Sequence, residues 1–519
     1  MRVKNTIKST ATGMIAYVVS MIIGFIARAV FVKTLGTECT GLNGLYTNIL
    51  SMLSIVETGF GTAIIVNLYK EVASDNKEKI KSLLQFYKKI YRIVAIVVFS
   101  IGLLILPFLK YLTGEVSVNE NIHIIFILYL LDVVVSYLLT YKRSILLANQ
   151  KNYYINLVNI GYNLLMNISQ IVYLLVFKNF TGYIVIKIIC RAIENLIISK
   201  IADKKYTYIT EKNVNTIDET DKKSILTRVK GLFFHRVATF VVMGTDNIII
   251  STAPNLGIVM VGLYSNYYLI IEVLKGILKQ IFSSMSGGIG TLLVEDNKEK
   301  TYKLFKTILL MNSWVFAYAA ISFYFISKPF IIIWLGGEYL LTDITVLMLT
   351  INLYFTGLRQ TYNTFKEAAG IFYEDRFVAI IESIVNLIVS LILVRIMGLP
   401  GVFLGTIIST TLVYAYTYPK FVYKQVLGQN IGKYVIELIK YLLLFVVSFG
   451  MVFGIIMGLD NVSNITNNFA TIAINIIICL IVPNLIYLIC FRKTAEFKYY
   501  YDIFKRAIEK IKRKETFNK

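Results

Sequence analysis

Eleven ionisable side chains stand inside stretches that are otherwise almost wholly apolar: Arg28, Glu57, Asp132, Lys187, Arg191, Glu194, Arg236, Asp246, Glu272, Arg359 and Glu382. In hydrocarbon each would cost several kcal/mol, so each is a functional candidate by default. Both signs are present, which suits a hydrated cleft with fixed charges better than a dry core. The arginines are the most informative. A guanidinium stays charged in a low dielectric and offers phosphate two parallel donors. Arg28 follows a full apolar run and has no carboxylate at helical spacing. Arg191 and Glu194, three apart, either pair with each other or line a cavity. Arg28, Glu57, Asp132, Lys187, Arg191, Arg236 and Arg359 are therefore the candidates for holding a charged substrate.

A second group is oxygen-rich: Asp246, Glu382, Asn386, Thr406 and Thr410. Glu382 and Asn386 are four apart, as are Thr406 and Thr410, so each pair shares a helical face. Such ligands suit a hard cation such as Na⁺, and a carboxylate could equally carry a proton. The threonines also fit plain helix packing. Other chemistry has little material. There are two histidines, and Cys39, Cys190, Cys479 and Cys490 show no metal-ligand spacing.

These residues must be positioned by membrane-spanning helices. Of 519 residues, 56% are hydrophobic and 16% charged, against roughly 25% charged in a soluble domain. Mean hydropathy is +0.67. A soluble enzyme is excluded, and so is the nucleic-acid partner that a net charge of +22 would otherwise suggest. Fourteen segments are long and apolar enough to cross a bilayer: 10–32, 44–69, 90–113, 121–141, 153–177, 180–200, 231–252, 256–284, 304–327, 342–365, 377–396, 399–423, 434–458 and 467–490. They are continuous, not alternating, so they predict helices and exclude a membrane β-barrel. The first is too long for a signal-peptide core and reads as a retained helix. With both termini in the cytoplasm, and cations toward a span's end counted with the side that end faces, 42 of the 53 Lys and Arg fall on the cytoplasmic side, 5 on the external side and 6 deeper within spans. This is the asymmetry that orients a plasma-membrane protein.

The two halves repeat. Gly44-Leu45-Tyr46-Thr47-Asn48 matches Gly262-Leu263-Tyr264-Ser265-Asn266, and Asp-Asn-Lys-Glu-Lys recurs at 75–79 and 296–300. Collinear matches of this kind imply a duplicated six-helix unit. The expected organisation is an N-terminal lobe (1–201), a cytoplasmic linker (202–230), a C-terminal lobe (231–425), two further helices (426–490) and a basic tail (491–519). In the tail Phe497, Tyr501, Phe504, Ile508 and Ile511 recur at helical spacing among ten basic residues. That pattern predicts an amphipathic helix on the anionic inner leaflet. An even-numbered repeat also places substrate between lobes that rock about it.

The six-plus-six-plus-two arrangement resembles the lipid-linked oligosaccharide flippases of the multidrug/oligosaccharidyl-lipid/polysaccharide exporter superfamily. The stretch from Arg28 to Lys79 is similar to the N-terminal region of bacterial O-antigen and capsule repeat-unit flippases, as is Trp334-Leu335-Gly336. The resemblance implies an all-α transporter without enzymatic chemistry. Its substrate would be an undecaprenyl-pyrophosphate-linked glycan carried from the inner to the outer leaflet, with polysaccharide-assembly proteins such as a polymerase as partners. It also implies that Arg28 holds the pyrophosphate. In the lipid II flippases of this superfamily a Na⁺ site lies on helices 7, 11 and 12, where Asp246, Asn386 and Thr410 match. Glu382 stands at the second acidic position in altered order relative to Asn386. Na⁺ or H⁺ is then the coupling ion, and no other cofactor is expected. Two alternatives stay open: a multidrug antiporter of the same superfamily, and a membrane glycosyltransferase or polymerase acting on the same lipid carrier.

Overall fold

The computed structural model describes residues 2–211, 216–219, 221–223, 225–227, 229, 244–283, 289, 293, 297–371, 374–462, 467–502, 505 and 509. Among the described residues there is no strand. The helices are α1 (Arg2–Leu53), α2 (Ile55–Ala73), α3 (Lys77–Ile105), α4 (Leu109–Thr113), α5 (Ile122–Tyr137), α6 (Thr140–Ala148), α7 (Asn152–Phe177) and α8 (Phe180–Lys205). They continue as α9 (Asp246–Thr252), α10 (Gly257–Ser283), α11 (Lys298–Trp334), α12 (Asp343–Ala368), α13 (Arg376–Met397), α14 (Leu399–Thr417), α15 (Ile431–Val462) and α16 (Asn468–Phe491). By length and composition, nine helices among the described residues can cross a membrane, or ten if the bent pair α5–α6 is one span. The helices α8 and α12 are not among the nine, although each has 26 residues. The first carries Lys187, Arg191 and Glu194 within its apolar stretch, and the second is made more polar by Asn352, Arg359 and Gln360.

The chain divides into two compact units, Met1–Ser265 with Val394–Leu399, and Asn266–Leu393 with Pro400–Lys519. In the first unit α1 is 52 residues long but is not one rod: Gly36, at φ 82° and ψ −179°, breaks it. Only glycine takes that conformation without strain. The expected loop between the first two spans is thus reduced to a single residue, and 37–43 are helical. Close packing accounts for this. A Cβ on Gly41 would lie 2.0 Å from the Ile258 carbonyl oxygen, one on Gly262 2.3 Å from that of Thr37, and one on Gly44 2.5 Å from Ser265 Oγ. The repeated Gly-Leu-Tyr motif therefore marks a crossing of α1 with α10 at backbone contact, where side chains are excluded.

The expected span 121–141 is bent. α5 and α6 meet at 41°, with Leu139 between them in the left-handed region at φ 66°. The bend carries Arg143 back toward the bundle. In the second unit α14 runs into a π-helical stretch, Tyr418–Val426, which places Tyr418 and Tyr423 inward, both fully buried. The helices α15 and α16 turn Ile436, Val446 and Ile489 outward, each more than 60% exposed, as lipid-facing residues are.

The described part of the tail does not lie free on a leaflet. Phe497 stacks on Trp314, the Tyr500 hydroxyl donates to the Thr307 carbonyl at 3.1 Å, and Lys306 pairs with Glu496 at 2.7 Å. Phe497 belongs to the apolar stripe expected to enter lipid, but α11 supplies an aromatic surface first. Phe504, Ile508 and Ile511 lie outside the described residues.

Candidate functional site

In the first unit the charged residues of α5 and α8 converge. Asp132 accepts a hydrogen bond from Arg191 Nε at 2.5 Å, and Lys187 Nζ lies 3.1 Å from its other oxygen. One carboxylate thus serves two cations. The spacing explains the arrangement: Lys187 and Arg191 are four apart on α8, so both reach the same point on α5. Asp132 is nearly fully buried, whereas the side chains of Lys187 and Arg191 retain about a quarter of their exposure (23% and 25%). Aromatic faces complete the surroundings. Lys187 lies 5.2 Å from the Tyr129 ring centre and Arg191 5.7 Å from that of Tyr162. Such contacts stabilise a cation while leaving its donors free for another acceptor.

Arg28, partly buried on α1, lies within electrostatic reach of Tyr129 and Tyr183. Tyr129 is fixed in turn, donating to Asn43 Oδ1 and packing edge-on against Tyr46 and Phe180. Arg28, Asp132, Lys187 and Arg191 are therefore grouped around Tyr129. Beside them, Arg143 donates to Glu194 at 2.6 Å and to Asn195 Oδ1 at 3.2 Å. Arg191 and Glu194 do not pair with each other. Each finds a partner on another helix, because the bend at Leu139 brings Arg143 within reach of Glu194. Glu57 lies within electrostatic reach of Arg143.

The second unit arranges similar residues differently. Arg359 donates both fork nitrogens to Glu382, at 2.5 and 2.7 Å. Two residues expected in separate roles, one with the substrate and one with a cation, are each other's partner. Both Glu382 oxygens are engaged, so Glu382 is not an open cation ligand. A turn along α13, Asn386 is fully buried and donates to Thr406 Oγ1 at 3.1 Å and Ser409 Oγ at 3.4 Å, while its Oδ1 has no partner among the described residues. Thr410 is buried one turn on. Asp246 opens α9 in the first unit, and Glu272 pairs with Lys275 on its own helix at 3.1 Å. Arg236 lies outside the described residues. Nearer the end of α12, buried Lys366 pairs with buried Asp375, which also accepts from Thr417 at 2.7 Å.

Sequence reasoning missed Arg143, Asn43, Tyr129, Tyr162 and Tyr183. Arg143 read as a loop residue because the bend was not visible. Tyr129 and Tyr162 carried one usable signal, a position well inside a span, away from the interfacial belt where tyrosine usually sits; Tyr183, near the start of its span, carried none.

The model of the polysaccharide biosynthesis protein family matches residues 6–286, more than half of the chain. No curated protein sequence matches. Among solved structures, the lipid II flippase MurJ in an inward closed conformation is similar at a TM-score of 0.64 and 15% identity, over 92% of this chain and 98% of that one. An inward-facing multidrug resistance MATE family transporter of the MOP superfamily gives 0.60 at 15% identity, over 78% and 95%. The Vibrio cholerae MATE transporter VcmN gives 0.57 at 13%, over 80% and 95%. The identities are low enough that these likenesses speak for the fold, which is that of the MOP transporters. With that fold and the family match together, the chain belongs to the polysaccharide biosynthesis protein family.

Proposed function

We propose that this protein is a flippase that carries an undecaprenyl-pyrophosphate-linked oligosaccharide repeat unit from the inner to the outer leaflet of a bacterial plasma membrane. The observation that carries the reading is the cation cluster of the first unit: Lys187 and Arg191 share the single carboxylate of Asp132, and Arg28 lies within electrostatic reach of Tyr129, whose ring faces Lys187. A sugar-pyrophosphate headgroup loses its hydration in hydrocarbon unless something replaces it. Here the pyrophosphate takes donors from Lys187 and Arg191, with Arg28 adding a third charge. Tyr162 and Tyr183, both only partly buried, offer hydroxyls and ring faces to the sugars, while the isoprenoid chain stays in lipid. Asp132 is the resting counter-ion: it holds the cations when no substrate is bound and competes with the pyrophosphate for them, which favours release.

Movement follows from alternating access of the two expected six-helix lobes, with both termini cytoplasmic. Direction comes from a coupling ion that favours one state. Within the second unit Asn386, Thr406 and Thr410 are the candidate ligands, and the Asn386 Oδ1, without a partner among the described residues, supports them for Na⁺ over a proton. The basic tail meets anionic lipid beyond its docked portion, and a polymerase receives the product. The test is transport of a fluorescent undecaprenyl-pyrophosphate oligosaccharide in proteoliposomes containing only this protein. Protected label should appear, faster with an imposed Na⁺ gradient. Polymer or transferase product would overturn the reading in favour of an enzyme, and efflux of cationic drugs without lipid transport would favour the antiporter.

A further inference from the structure

A cavity of about 310 Å³ lies at the end of the first unit, between the α2–α3 turn, the residue after α6 and the segment that follows α8. Its polar lining is Asp75, Lys77, Asn149 and the run from Lys205 to Tyr208. Lys77 is exposed and stands in the first turn of α3, where the backbone N–H groups favour an anion. Lys205 lies 4.3 Å from the Tyr154 ring centre and Lys151 4.8 Å from that of Tyr206, so the lining residues Lys205 and Tyr206 each take part in a cation–aromatic contact. Tyr206 is more than nine-tenths buried, and its hydroxyl has no hydrogen-bond partner among the described residues. Burial pushes that phenol up to about 12, so at neutral pH it is a donor awaiting an acceptor. Neither lysine makes an ion pair among the described residues, although Asp75 is close in sequence.

We propose that this cavity binds a phosphoester anion, either the headgroup of an inner-leaflet phospholipid or a small soluble phosphoester. Lys77 and Lys205 supply the charge and Tyr206 the buried donor. The site is separate from the cluster around Asp132. It depends on the proposed orientation only for which leaflet supplies a lipid. The site also has a structural consequence. Its outer wall, Thr207 and Tyr208, begins the segment leading to the second half of the sequence, and that segment is already tied to α3 by Lys81 with Glu211 at 2.7 Å and by Lys79 with Asp218 and Asp221. A ligand between Lys77 and Lys205 adds a further tie between α3 and the same segment.

The experiment measures binding to the purified full chain in detergent with two probes, dihexanoyl phosphatidylglycerol and sn-glycerol 3-phosphate, and dihexanoyl phosphatidylcholine as the zwitterionic reference. Binding of the phosphatidylglycerol alone identifies a lipid site, and binding of both probes identifies a phosphoester site open to solution. Lys77→Ala and Lys205→Ala should each weaken binding roughly tenfold, and Tyr206→Phe roughly threefold to tenfold. Asp75→Asn should strengthen it, a sign that general damage to the fold would not produce. Arg191→Ala, which strikes the proposed transport site, should leave it unchanged. Binding of neither probe, or equal binding by the Lys77→Ala/Lys205→Ala double variant, overturns the proposal whether or not the protein is a flippase.

Discussion

The ion clusters of the two units use the same residue types to opposite ends. In the second unit two buried pairs are matched one to one: Arg359 closes on Glu382 with both fork nitrogens, and Lys366 on Asp375. In the first unit Asp132 is divided between Lys187 and Arg191, with Arg28 nearby. A matched and saturated pair offers a polyanion nothing without first being broken, whereas a shared carboxylate leaves donors and net positive charge ready. Residue identity alone does not separate these cases. The ratio of cations to carboxylates at each cluster, and the exposure left on the cations, do.

That difference predicts where mutation damages the fold and where it damages transport. The largest effect belongs to Arg359→Ala, which leaves Glu382 buried and uncompensated. A loss of about 3–5 kcal/mol is expected for removing one partner of such a pair, seen as a much lower unfolding temperature in detergent. Replacing both partners, as Arg359→Met with Glu382→Met, should restore most of it, because an apolar pair has no charge to satisfy. An Arg359→Ala protein that unfolds like wild type but no longer transports would reverse the comparison.

Lys187→Ala and Arg191→Ala should behave the other way. Each leaves Asp132 one cation, so unfolding changes little. Transport of the pyrophosphate-linked substrate should fall roughly 10- to 100-fold, the worth of one charge-assisted hydrogen bond. A smaller and more specific effect is expected of Asp132→Asn. Without the resting counter-ion, the substrate binds more tightly and leaves more slowly, so bound headgroup increases while turnover decreases. Weaker binding in that variant would mean that Asp132 positions the cations and does not compete for them.

Much of this was legible in the sequence and some was not, for identifiable reasons. Helix positions followed from hydropathy, since hydrocarbon allows the backbone few alternatives, and Asp132, Lys187 and Arg191 stood out because charge is rare there. Pairing did not follow. Arg359 and Glu382 are 23 residues apart on different helices, and no local spacing announces their contact. The bend at Leu139, which places Arg143 on Glu194, rests on a positive φ at a leucine, a residue type that gives no warning of it. Gly44 and Gly262 were visible as a repeat, but only the close crossing of α1 with α10 shows what they do: Gly262 meets the Thr37 carbonyl and Gly44 the Ser265 hydroxyl.

The smallest effect sets the lower end of the scale. Lys306 and Glu496 form a matched pair that is partly open to solvent and holds the first turns of the tail on α11. Burial by itself would raise the Glu496 carboxyl, but hydrogen bonds from Lys306 and Thr494 outweigh it and hold the group below the usual carboxylate range. A carboxyl lowered in the folded state contributes stability above its unfolded value and loses it as pH falls through the folded one. Docking of the tail should therefore be complete at neutral pH and weaken below about pH 4, by no more than about 1 kcal/mol for so open a pair. Trp314, stacked on Phe497, is the reporter, and Trp334 is the only other tryptophan in the chain. Its emission should shift in acid in the wild type, and a Glu496→Gln variant should show the shifted state already at pH 7 with no further transition. An acid transition that persists in that variant would assign it to another carboxyl and remove Glu496 from the series of matched pairs.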